Sequence, residues 1–288
     1  MHERAEEIYQ KLECCDLCPR NCQVNRIKDE IGSCGVGDVA WVSSYGPHHG
    51  EEAPLRGRYG SGTIFFSGCN LSCAYCQNAD ISQKLSGRPV TARKLGAYML
   101  ELQALGCHNI NLVSPTHVVG QIVRAIALAA EDGLSLPVVY NTGGYDKRET
   151  LALLDGIVDI YMPDMKYSQA DVGERYSGVQ DYPRVNQEAV LEMHRQVGDL
   201  VLDPAGIARR GLLIRHLVLP GDKAGSSAIM QFIAEKISTD TYLNIMDQYH
   251  PAYQASQHPD LDRRITRNEY QVVIREAEEW GLGRLDLS

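Results

Sequence analysis

The chain has 288 residues, 44% of them apolar, and a formal charge of −9, which is enough for one large α/β domain or two ordinary ones with a proper core. The acidic balance opposes a broad nucleic-acid footprint, which asks for a basic face, and leaves room only for a local basic patch. Met1-His2-Glu3-Arg4-Ala5-Glu6-Glu7 has no apolar signal-peptide core, and no run approaches the ~18 apolar residues of a membrane helix, so a cytoplasmic protein is expected.

Nine cysteines in such a chain favour metal over disulfides, and eight of the nine fall in the first 76 residues. Residues 1–60 are rich in Cys, Gly, Pro and charge with little periodicity, and read as an irregular, metal-stapled extension plus a lead-in loop. Within it, Cys15, Cys18, Cys22 and Cys34 give Cys-x2-Cys-x3-Cys-x11-Cys, four thiolates that close a zinc site or a cluster without an open position. The spacing does not separate zinc from an electron-relaying second cluster. Cys14 reads as a bystander, one register slip from Cys15.

Residues 61–250 alternate short β-like runs with helical stretches, the signature of a parallel sheet wrapped by helices. The expected strands are 63–67, 109–113, 138–141, 158–162, 212–219 and 242–246, mostly continuous apolar runs as a doubly covered sheet requires. Helices are expected at 91–105, 118–131, 147–154 with Asp146 as cap, and 226–236. Residues 251–288 hold a closing helix at 266–280. Six strand–helix units are fewer than the eight of a closed barrel, so a partial (β/α)6 open barrel is expected, its chemistry at the C-terminal ends of the strands.

Just past the first of these strands lie Cys69, Cys73 and Cys76, in Cys-x3-Cys-x2-Cys spacing. Three soft thiolates on one short loop suit an iron–sulfur cluster, and three ligands leave one iron of a four-iron cube open to a substrate or cofactor. By spacing alone a structural zinc site with a fourth ligand from elsewhere competes with this reading. Cys107 sits before the second strand, at the end unsuited to catalysis, and reads as packing.

This triad, with the aromatic Tyr75 before its last cysteine, resembles the radical S-adenosylmethionine (SAM) superfamily, and within it relatives of the pyruvate formate-lyase activating enzyme, in the branch of activating-enzyme homologues. Supporting segments are Cys15-Asp16-Leu17-Cys18-Pro19-Arg20-Asn21-Cys22, Asn109-Ile110-Asn111-Leu112-Val113-Ser114-Pro115-Thr116-His117, Tyr140-Asn141-Thr142-Gly143-Gly144-Tyr145, Asp159-Ile160-Tyr161-Met162-Pro163-Asp164-Met165-Lys166-Tyr167 and Arg215-His216-Leu217-Val218-Leu219-Pro220-Gly221. The resemblance implies an α/β partial barrel of the radical SAM type, a [4Fe-4S] cluster on Cys69, Cys73 and Cys76, and S-adenosyl-L-methionine chelated at the open iron. It implies reductive cleavage of that cofactor to a 5′-deoxyadenosyl radical that abstracts hydrogen from a substrate.

The same resemblance places cofactor contacts at strand ends. Ser114-Pro115-Thr116 stands where relatives carry Gly-Gly-Glu against the cofactor's amino group; here carbonyls and the Thr116 hydroxyl would accept instead, unless Thr116 merely caps a helix. Asn141, Thr142, Met162, Asp164 and Lys166 align with positions lining the cofactor, where oxygen groups would also hold a monovalent cation; a structural Asp–Lys pair is the alternative. Arg215 would approach the cofactor carboxylate, with His216 on the opposite face, and a structural salt bridge competes. Asn78 would orient the adenine or a cysteine sulfur; His117 is a substrate-side candidate, and His250 reads as a loop histidine. A glycyl-radical enzyme or another protein is the substrate by analogy, with flavodoxin or ferredoxin as electron donor. Alternatives are the same radical acting on a small molecule or RNA, or a non-catalytic metal or electron-transfer protein.

Overall fold

The computed structural model describes residues 1–287. Ten strands run, in chain order, as β1 Ala40–His48, β2 Ser61–Phe66, β3 Arg88–Val90, β4 Ile110–Val113, β5 Val138–Thr142, β6 Ile160–Pro163, β7 Val201–Leu202, β8 Ala208–Leu217, β9 Tyr242–Met246 and β10 Leu285–Asp286. The helices are α1 His2–Gln10, α2 Ala53–Arg56, α3 Ala79–Ser82, α4 Ala92–Ala104, α5 Val119–Glu131, α6 Arg148–Ala152, α7 Ala170–Ser177, α8 Tyr182–Val197, α9 Ser226–Phe232 and α10 Arg267–Glu279. The sheet order is β10-β9-β8-β6-β5-β4-β2-β1-β3, with β7 pairing beside β8. From β2 through β4, β5, β6, β8 and β9 every neighbouring pair is parallel, which makes the expected six-strand open barrel. Among the described residues no helix is long and apolar enough to cross a membrane.

The first sixty residues are more regular than their composition suggests. β1 runs antiparallel to β2, pairing Tyr45 with Ile64 and His48 with Ser61, so the barrel sheet extends into that segment. α1 lies on α5, where Gly120 admits it: a methyl there would stand 3.3 Å from the Tyr9 Cα. α4 starts at Thr91, whose hydroxyl accepts from the Lys94 N–H, and α10 starts with a full capping box between Thr266 and Glu269. Asp146 is not the cap of α6. Lys147 occupies that position without a side-chain bond, because the Asp146 carboxylate is engaged elsewhere.

α7 and α8 fall in a stretch with no predicted element. Val185, Ala189, Val190, Met193 and Val197 of α8 are buried at helical spacing, and a proline in the first turn suits a helix start. α8 is the crossover between β6 and β8 and reaches the strand ends with two polar side chains described below. The barrel interior is closed by an apolar floor of Leu55, Val139, Ile160, Met162, Ala208 and Leu213, with Leu55 of α2 entering as a plug.

Candidate functional site at the strand ends

The Cys69–Cys76 turn leaves β2 through Gly68, at φ +86, where a side chain would stand 2.7 Å from the Cys34 carbonyl oxygen. The turn is pinned on several sides. Ser72 and Ala74 donate their N–H groups to the carbonyls of Ser177 and Tyr176 at the end of α7, and Arg20 donates to the Asn70 carbonyl at 2.8 Å. Asn70 in turn donates to the Tyr145 carbonyl at 2.6 Å. Each sulfur has a neighbouring donor: the Leu71 N–H for Cys69, the Ser177 hydroxyl at 3.0 Å for Cys73 and the Ser82 hydroxyl at 3.2 Å for Cys76. Such donors favour thiolate over thiol.

Burial works the other way. It pushes the Cys69 thiol up to about 12, with Cys73 and Cys76 adding to the rise, and it raises Cys73 against the pull of Lys166. Three mutually repelling sulfurs in an apolar site would ionise on binding a metal centre that takes their charge. Among the described residues no three His, Cys, Asp or Glu side chains close around the position of a single ion. A four-iron cube spreads its ligands over its corners and asks for no such convergence, so the soft, three-sulfur donor set fits it. Over the turn lies an apolar and aromatic roof of Leu71, Tyr75, Tyr167, Tyr176, Tyr182 and Tyr249. Tyr167 donates to Tyr75 at 2.7 Å, which satisfies both hydroxyls away from water.

Facing the cysteines is a charge cluster on the ends of β6 and β8. Asp164 takes Lys166 Nζ at 2.6 Å on one oxygen and Arg215 Nε at 2.9 Å on the other, while Arg215 Nη2 donates to Asn141 Oδ1 at 2.7 Å. Burial disfavours all three charges. Arg215 and Lys166 nevertheless hold the Asp164 carboxyl below its usual range, and Asp164 with Cys73 keeps the Lys166 ammonium up at about 12. Lys166 Nζ gives one of its three N–H donors to Asp164, which leaves donors for a ligand carboxylate.

The oxygens named for a monovalent cation belong to this cluster. Each Asp164 oxygen and the Asn141 oxygen accepts a bond from the guanidinium or the ammonium, and the Thr142 hydroxyl donates to Asp146 Oδ2 at 2.6 Å. Met162 is fully buried, packed with the barrel floor and in register with Asn141. His216 faces the other way from Arg215, bonded to the Met165 carbonyl and the Ser226 hydroxyl.

Thr116 does not cap its helix. Its hydroxyl donates to Asp146 Oδ1 at 2.7 Å and lies 3.0 Å from that of Thr142. Asp146 is buried, which raises its carboxyl, and the hydroxyls of Thr142, Thr116 and Tyr140 oppose the rise. With their protons drawn to Asp146, both threonine oxygens keep lone pairs, and Thr142 gives one of its own to the Gly144 N–H at 3.2 Å. Ser114 sits beside them in a left-handed conformation, φ +59, its N–H given to the Asn141 carbonyl. Asn78 is exposed at the start of α3 and caps nothing. His117 is buried and gives its ring to the Ser67 carbonyl at 2.8 Å, so it braces the turn before the cysteines and does not face a substrate. His250 meets Gln77 and the Gln248 carbonyl in a loop, as read from the sequence.

Residues absent from the sequence reading complete the arrangement. Tyr182 and Asn186 of α8 both donate to the Asp164 carbonyl, at 3.0 and 2.9 Å, and to the carbonyls of Gly143 and Gly144. The left-handed Gly144, φ +75, is packed against Asn186 and Asp164 so closely that a methyl there would collide with both. At the extension, buried Arg26 donates to the carbonyls of His117 and Gly37 and approaches the Cys15 sulfur at 3.7 Å. Burial raises Cys18 to about 12 and also raises Cys34, where Arg26 opposes it. Cys14 is exposed and bonds Gln23, while Cys107 is buried at the start of β4, as expected of both.

No protein-family model matches the chain. Over 289 aligned residues it is 31% identical to the uncharacterized protein MJ0674 of Methanocaldococcus jannaschii, covering 97% of this chain and 78% of that protein. The chain belongs to the MJ0674 family. The uncharacterized protein MJ0808 of the same organism is 23% identical, over 95% of this chain and 83% of its own. Among solved structures, this MJ0674-family chain is similar to a radical SAM methyltransferase from Sphaerobacter thermophilus, with TM-score 0.52 and 14% identity over 78% of this chain. It is similar also to the FeFe-hydrogenase maturase HydG from Carboxydothermus hydrogenoformans, with TM-score 0.52 and 13% identity over 75% of this chain. The chain spans 65% of the methyltransferase chain and 50% of the HydG chain. At this identity the likeness establishes the fold: the MJ0674-family chain has the open α/β barrel of radical SAM proteins.

Proposed function

We propose that this chain is an iron–sulfur enzyme that reductively cleaves S-adenosylmethionine. The observation that carries the proposal is the three-cysteine turn at the C-terminal end of β2, in a radical SAM barrel, facing the Lys166–Asp164–Arg215 cluster on β6 and β8. Cys69, Cys73 and Cys76 would hold a [4Fe-4S] cluster with one open iron, and the bound pair would supply a 5′-deoxyadenosyl radical for hydrogen abstraction. Arg215 and Lys166 would bind the cofactor carboxylate. Asp146 turns Thr116 and Thr142 into acceptors for its amino group, where the chain lacks the carboxylate of its relatives. The tyrosine roof keeps water from the site.

The finer reading, activation of a glycyl-radical enzyme or modification of another protein, is supported by the motif resemblance. In that reading flavodoxin or ferredoxin supplies the electron. Cys15, Cys18, Cys22 and Cys34 would hold a second cluster, or zinc if their sulfurs close further together than they stand here, beside the first, since Gly68 packs on Cys34.

The test is anaerobic reconstitution with iron and sulfide, followed by dithionite and S-adenosylmethionine. Formation of 5′-deoxyadenosine is expected, and a reconstituted protein that makes none overturns the proposal. For the finer reading, a co-purifying enzyme should gain a glycyl-radical electron paramagnetic signal, and its absence after a thorough search removes that reading alone.

A further inference from the structure

Between β8, β9 and the loop joining β1 to α2 lies a cavity of about 490 Å³, lined by Glu51, Glu52, Arg56, Arg215, Asn244 and Gln248 among others. Its volume is that of a small-molecule site. Arg56 and Gln248 are exposed at its mouth, while Glu52 and Asn244 are only 6% and 5% exposed. Asn244 Nδ2 donates to Glu52 Oε1 at 2.9 Å. The other oxygens of this pair, Glu52 Oε2 and Asn244 Oδ1, are buried with no hydrogen-bond partner. An orphaned buried acceptor costs about 1–3 kcal/mol, more when it is charged, and both belong to side chains that line this cavity, so a donor brought to them from it would relieve that cost.

The surrounding charge agrees. Glu51 bonds His48 at 3.0 Å and is raised by burial, with the nearby Glu52 charge adding to the rise. Both glutamates act on Arg215, which is already committed to Asp164 and Asn141. Arg56, the other cation of the lining, is exposed and is joined to neither glutamate, so no protein cation pairs with the acceptors at the bottom of the cavity. A neutral hydroxyl donates once; a primary ammonium donates three times and carries the compensating charge.

We propose that this cavity binds a primary ammonium group, its N–H donors shared by Glu52 Oε2, Asn244 Oδ1 and the Glu51 carboxylate. Naming the ammonium as part of the substrate rests on the radical SAM reading, because Arg215 is common to the cavity and the cofactor site; binding itself does not.

The test is calorimetric titration and thermal unfolding of the full chain as purified, with 1,4-diaminobutane or Nα-acetyl-lysine amide as probe and 1,4-butanediol as the neutral control at matched ionic strength. Saturable binding and a raised Tm are expected with an amine and not with the diol. Which amine binds separates a free diamine from a peptide lysine as the source of the group. Glu52→Gln should weaken amine binding roughly tenfold or more, as the loss of a charge-assisted hydrogen bond implies. Should Glu52→Gln fail to fold, Glu51→Gln carries the same comparison with a smaller loss. Equal response to amine and diol, no response to either amine, or unchanged affinity in the variants would overturn the proposal. The titration needs neither cluster nor S-adenosylmethionine. Amine binding without deoxyadenosine formation would remove the radical reading and leave the cavity, and the reverse result would remove only the cavity.

Discussion

Arg26 donates from Nη1 to the carbonyl oxygen of His117 at 2.7 Å, and neither side chain is more than 2% exposed. His117 in turn holds the Ser67 carbonyl, one residue before Gly68. A guanidinium of the cysteine-rich extension is thus two hydrogen bonds from the backbone that presents Cys69. The extension and the barrel rim are mechanically one unit, and the charge that joins them lies among cysteine sulfurs.

Replacing that charge should be costly. Arg26→Met leaves the buried carbonyls of His117 and Gly37 without their donor and is expected to destabilise the protein by about 1–3 kcal/mol for each carbonyl. Arg26→Lys keeps the charge but loses the fork onto Gly37 and His117, so a smaller loss is expected. Urea denaturation with metal analysis of each variant measures both effects, and equal stability of Arg26→Met and wild type would contradict the account.

The two cysteine groups should respond differently. Cys73→Ser removes one of three soft ligands and should abolish 5′-deoxyadenosine formation. If the extension holds zinc, Cys18→Ser should cost stability and metal content more than cofactor cleavage. Near-normal product from Cys73→Ser would contradict the cluster assignment.

His117 gives a pH dependence of known sign. Burial, with Arg26 adding, lowers its folded value from 6.5 to about 4, against the pull of the Ser67 carbonyl. Between those values the unfolded chain binds a proton that the native one refuses. The contribution is full above pH 6.5, is lost as pH falls, and is gone near pH 4, amounting to roughly 3 kcal/mol. His216 is shifted in the same direction by burial. The stability difference between wild type and His117→Asn should therefore shrink as pH drops through this window, and a difference that is constant with pH would refute it.

Leu55 plugs the barrel floor at 0% exposure. Leu55→Ala should cost about 2–5 kcal/mol through lost burial and the cavity left behind, read as a shifted denaturation midpoint. A loss below 1 kcal/mol would show that α2 is not the plug.

The amino-acid sequence alone determined the six parallel strands, because each is a short apolar run bounded by turn residues, and burial on both faces requires that pattern. It also determined the cysteine turn, since three ligands within eight residues need no distant partner to be recognised. What it did not show were contacts made by packing elements far apart in the chain. α8, whose helical spacing was present but unread, brings Tyr182 and Asn186 to the Asp164 carbonyl. Asp146 looked like a helix cap because caps are local; only the neighbouring strand ends reveal that its carboxylate collects hydroxyls from Thr116, Tyr140 and Thr142. Glu51 and Glu52 resemble any charged loop until tertiary folding sets them beside Arg215 and Asn244, where Glu52 Oε2 is left without a partner. Local chemistry is written in adjacent residues, whereas desolvation and pairing are properties of the packed molecule, and those decide which polar groups are left seeking a ligand.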